Sequence, residues 1–128
     1  IENVWNRFIL SPIEMKDYID SFKNKYVGVY FDVGNVIPLG YSEQWIRILG
    51  ERIKKIHFKD FRFAAGNGGM VGFVDLLEGD VNWPEVVKAL KEIGYNDCVT
   101  AEMIPYYKYY PEVRLKNTSN AMDAILGM

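Results

Sequence analysis

The chain has very little cysteine or histidine: one of each in 128 residues. A single thiol, Cys98, cannot close an internal disulfide, so packing must hold the fold, and the chain reads as cytoplasmic. Basic charge is not in excess. Fifteen Lys and Arg face 17 Asp and Glu, giving a net charge of −2 and a pI near 5.4. That leaves no positive field to hold nucleic acid. No apolar run approaches the ~20 residues that span a membrane. The first ten residues include Glu2 and Arg7 and lack the pattern of a secretory signal. Neither nucleic acid nor membrane is therefore expected as a partner. What is plentiful is apolar surface, at 49% of residues, enough for the core of one domain spanning residues 1–128.

The apolar residues are arranged in two alternating periods. Ile1-Glu2-Asn3 reads as the tail of a strand. Ser11-Pro12-Ile13-Glu14 predicts a helix start by cap, preset φ and capping box together. Met15, Tyr18, Ile19 and Phe22 then recur on one helical face. Residues 26–31 are apolar on both faces, as in a covered parallel strand. Ser42 is expected to cap a second helix, with Trp45, Ile46, Leu49 and Ile53 as its stripe. A strand over residues 53–58 follows, then a long loop over residues 60–81, of a length that is usually functional. Asn82-Trp83-Pro84-Glu85 opens a third helix, which buries Val86, Val87, Leu90 and Ile93 and ends at Gly94. A strand around Cys98 precedes a tyrosine-rich loop (Tyr106, Tyr107, Tyr109, Tyr110) and a last helix using Ala121, Met122, Ile125 and Leu126.

The order β-α-β-α-β-α-β-α implies an α/β fold with a parallel sheet and right-handed crossovers. Four such units are half of an eight-stranded barrel and leave two unpaired edges. The inner strand faces, with Val27, Val29, Ile56 and Val99, are expected to be apolar and open. Pairing is therefore expected, as a homodimer or with a complementary N-terminal half.

Chemistry gathers around Lys54-Lys55-Ile56-His57-Phe58-Lys59-Asp60. The lone histidine stands at the end of its strand, where functional residues of βα proteins collect. Two other strands end in acids, Asp32 and Glu102, and Glu2 stands at the head of the chain. Three carboxylates and one imidazole at successive strand ends predict a site for one divalent metal ion. The donors suit Mn²⁺, Mg²⁺ or Co²⁺, with Zn²⁺ also compatible. Gly66-Asn67-Gly68-Gly69 is a candidate phosphate wrap or a lid.

Five segments carry a family resemblance. They are Glu2-Asn3, Phe31-Asp32-Val33-Gly34-Asn35, Ile56-His57-Phe58-Lys59-Asp60, Glu78-Gly79-Asp80-Val81-Asn82-Trp83 and Thr100-Ala101-Glu102-Met103. In order and spacing they resemble the C-terminal half of xylose-isomerase-like TIM barrels, specifically the sugar phosphate isomerase/epimerase group with its ketose 3-epimerases. The resemblance implies a metal held by Glu2, Asp32, His57 and Glu102. It also implies that Glu2 and Glu102 exchange protons with a cis-enediolate formed from a ketose or sugar phosphate. Asn35, Lys59, Asp60 and Arg62 are implied to bind substrate. Arg62 lies five residues after His57, one short of the spacing in some ketose 3-epimerases. The alternatives are an inactive half-barrel that folds by pairing, or a related sugar dehydratase that begins with the same enolisation. A multinuclear zinc endonuclease is disfavoured by the single histidine and the net acidic charge.

Overall fold

A computed structural model describes residues 1–63, 71–103 and 107–128. Helix α1 covers Pro12–Ser21, and its start is a complete capping box. The Glu14 amide donates to Ser11 Oγ while the Glu14 carboxylate accepts from the Ser11 amide. Met15 and Ile19 are buried beneath α1, but Phe22 sits past its last turn and is exposed. Strand β1 runs Val29–Asp32, later than the apolar run suggests, and Tyr26 is 85% exposed in the approach to it. A 3₁₀ turn over Gly34–Leu39 leads into α2, Ser42–Leu49.

Ser42 does not cap α2. It is the first helical residue, fully buried, and its hydroxyl donates to the Val33 carbonyl at 2.7 Å. The serine therefore ties the helix to the end of β1 instead of satisfying the helix's own amides. Strand β2 is Ile53–Phe58, so Ile53 belongs to the sheet and not to the α2 stripe. The long loop that follows contains an antiparallel pair, β3 (Asp60–Arg62) and β4 (Gly72–Val74). Helix α3, Trp83–Glu92, starts at an Asn82 cap, and Gly94 takes φ +70 after its last turn. Strand β5 is Val99–Ala101, with Cys98 exposed just before it, and α4 covers Pro111–Leu126. In α4, Ile125 is buried, while Leu126 faces out. The Gly66-Asn67-Gly68-Gly69 segment and Tyr106 lie outside the described residues.

Strands β1, β2 and β5 form one parallel sheet in that order, and Glu2 joins it through a single parallel bridge to Tyr30. Helix α2 packs between α1 and α3, and α3 packs on α4. The core lies between this helical layer and the sheet, built on Val29, Phe31, Ile56 and Phe58 with Trp45, Leu49, Val86 and Ile125. Each buried Phe or Leu there contributes about 1.5–3 kcal/mol.

Strand parity overturns one expectation. Val29 and Ile56 are buried, and Val27 and Val99 pack against the same core, so all four point toward the helices. Side chains alternate across a strand. The opposite face therefore presents Tyr30 beside Lys55 and His57 beside Thr100, and it is polar.

Candidate metal centre

The site grows from the register of the sheet. Asp32 stands opposite His57, and His57 stands opposite Thr100. The ladder continues one residue past β5, where the Glu102 amide donates to the Phe58 carbonyl at 3.0 Å. On the other side the Tyr30 amide donates to the Ile1 carbonyl at 2.9 Å, which sets Glu2 beside β1. Beyond Glu2 a side chain takes over from the ladder. The Asn3 amide accepts from the Asp32 N–H at 2.8 Å and donates to the Asp32 carbonyl at 2.9 Å. Asn3 is thus the clamp that holds the end of β1. Its only signal in the sequence is its place directly after Glu2.

Four donor groups converge. Ligand atoms of Glu2, Asp32, His57 and Glu102 all lie within 4.8 Å of one another. His57 Nδ1 is 3.1 Å from Glu2 Oε1, 3.5 Å from Glu102 Oε2 and 3.8 Å from Asp32 Oδ2. The imidazole packs on the Tyr30 ring, with centroids 4.1 Å apart. Asp32 is fully buried, and its two oxygens have different surroundings. Oδ1 accepts the Asn35 amide at 2.8 Å, whereas Oδ2 accepts no hydrogen bond. Glu102 Oε2 is likewise buried without a hydrogen bond. Buried oxygens are normally paired. Two such oxygens beside an imidazole, met by the Lys59 ammonium but by no hydrogen bond, are what a hard or borderline divalent cation would satisfy, so the donors fit a metal.

The electrostatics agree. Burial lifts the Asp32 carboxyl to about 7, against the pull of the Lys59 ammonium. Burial also acts to raise Glu102, but contact with Lys59 overcomes it and holds that carboxyl below its ordinary value. Lys59 Nζ sits 2.6 Å from Glu102 Oε2 and 3.3 Å from Asp32 Oδ2, inside the cluster.

The other sequence candidates divide. Asn35 is buried, and its side-chain amide donates to the Asn3 carbonyl at 2.9 Å, so it braces the clamp. Asp60 is fully buried and accepts from the amides of Phe61, Leu77, Gly79 and Val81 and from the Trp83 indole. With five donors meeting it, Asp60 organises the loop. The closeness of Gly79 is part of that arrangement, because a Cβ there would collide with the Asp60 carboxylate. Arg62 is exposed on β3, outside the cluster.

Residues 1–125 match the xylose isomerase-like TIM barrel family. The chain belongs to that family. Among solved structures it is similar to a xylose isomerase domain protein from Planctomyces limnophilus, at 22% identity and a TM-score of 0.76 over 97% of this chain and 43% of that one. It is also similar to an IOLI protein with a bound zinc atom, at 20% identity and a TM-score of 0.74, covering 89% of this chain and 42% of that one. An uncharacterized protein of Methanocaldococcus jannaschii is 27% identical over 96 residues, 73% of this chain and 31% of that protein. The chain thus spans less than half the length of each of these proteins, and its parallel β-α units match part of a TIM barrel.

Proposed function

We propose that the chain is the metal-binding, C-terminal half of a sugar or sugar phosphate isomerase/epimerase that works by proton abstraction from a ketose. The observation that carries this reading is the convergence of Glu2, Asp32, His57 and Glu102 around two buried carboxylate oxygens without hydrogen bonds. A divalent ion bound there would polarise a substrate carbonyl and acidify the adjacent C–H.

The protein's own residues divide the remaining work by exposure. Asp32 is sealed from solvent and anchored through the Asn35 amide, so it serves as a fixed ligand. Glu2 and Glu102 keep 33% and 34% of their side-chain surface exposed, enough to meet a substrate and carry a proton. The imidazole packs on the Tyr30 ring, which sets its plane and leaves Nδ1 facing the three carboxylates.

Solvent deuterium uptake into a ketose, measured with the intact polypeptide, tests the reading. Glu102→Gln should abolish uptake and leave the circular dichroism spectrum unchanged. Undiminished uptake in that variant would remove Glu102 from the proton-transfer role.

A further inference from the structure

We propose that Lys59 is the resident cation of this centre when no divalent ion is bound, and that an entering ion must displace its ammonium. This rests on the metal reading above and goes beyond it by assigning Lys59 a role opposed to ion binding. Lys59 is only 4% exposed, and the acceptors nearest its Nζ are Asp32 Oδ2 and Glu102 Oε2. These are the same two buried oxygens that accept no hydrogen bond. A metal and the ammonium therefore compete for one pair of atoms.

The ammonium lies close to both oxygens without the alignment of a hydrogen bond, so it is held by proximity and charge, chiefly that of Glu102, rather than by directed bonding. A contact of that kind is exchangeable. What can move is limited to the outer part of the side chain. Gly34 lies against the Lys59 main chain, so closely that a Cβ on it would meet the Lys59 carbonyl oxygen at 2.7 Å. The backbone is thus wedged. In the same position Nζ also lies 4.6 Å from the centre of the Phe73 ring on the β3–β4 hairpin.

The charge balance gives the direction of the effect. With the ion bound, both ligands are carboxylates, and removing a positive charge beside them lowers the cost of bringing in a divalent cation. Without the ion, the same removal leaves the Glu102 carboxylate without the ammonium that sits 2.6 Å from it.

Titration calorimetry with Mn²⁺ on the intact polypeptide, with thermal melts alongside, tests this in the parent and in Lys59→Met. The variant should bind Mn²⁺ roughly tenfold tighter or more, which corresponds to about 1.4 kcal/mol. It should also melt lower than the parent without the ion and recover with it. Binding by the variant alone would support the proposal in its strongest form. If both bind and the variant binds equally or more weakly, displacement is wrong and the metal centre stands. If neither binds, the metal centre itself fails, and this proposal with it. Should the variant not fold under either condition, amine acylation of the parent read by mass spectrometry decides. Lys59 protected without Mn²⁺ and labelled with it supports displacement, and equal protection overturns it.

Discussion

Burial holds the Asp32 carboxyl near 7, far above its ordinary 3.8, and this ties the centre to pH in two ways. In the ion-free protein the folded state keeps a proton on Asp32 that the unfolded chain releases at lower pH. The resulting stability is complete below 3.8 and is lost as the pH rises through about 7. A divalent ion needs the carboxylate, so ion and proton compete for the same oxygen. The rise in melting temperature on adding Mn²⁺ should therefore grow from about pH 6 to about pH 8. Melts across that range, with and without the ion, measure it. An ion-induced shift that stays flat with pH would mean that Asp32 does not bind the ion.

The most demanding element is the segment between β2 and α3, which the sequence presents only as a long loop. One carboxylate organises it. Asp60 collects four backbone amides and an indole from residues as far away as Trp83, joining the hairpin to the start of α3. Asp60→Ala strands those donors in a buried setting, at a cost of about 3 kcal/mol or more. Chemical denaturation should show a lower midpoint with an unchanged slope. Gly79→Ala should reproduce part of the loss, since its new Cβ would collide with the same carboxylate.

At the scale of the molecule, the sheet ends in two open edges among the described residues, one at Ile1–Asn3 and one at β5. Unpaired edges recruit other strands. The inner face, with Tyr30, Lys55, His57 and Thr100, is polar, so edge pairing rather than burial of an apolar wall would drive association. Light scattering on the purified chain should find a homodimer, or a heteromer once a complementary half-barrel is supplied. A stable monomer in both conditions would show that these edges tolerate exposure.

Local chemistry alone determined much of this protein. The capping box at Ser11 and Glu14, the Asn82 cap and the alternation of strand-like and helix-like runs depend on neighbours three or four residues apart, and they are legible in order. The four converging donors were legible because parallel strands bring their carboxyl ends to one height. Other features needed the folded chain. Ser42 could be read as a cap until Val33, nine residues away, was seen to accept its hydroxyl. Asp60 and Asn35 read from the sequence as substrate contacts, and the internal partners that each also holds, 17 to 32 residues away, needed the fold. The polar inner face turned on strand parity, because a run that is apolar on both sides does not declare which side meets the helices. Propensity and periodicity are short-range quantities, whereas the position of the Lys59 ammonium is decided by three strands meeting at one point.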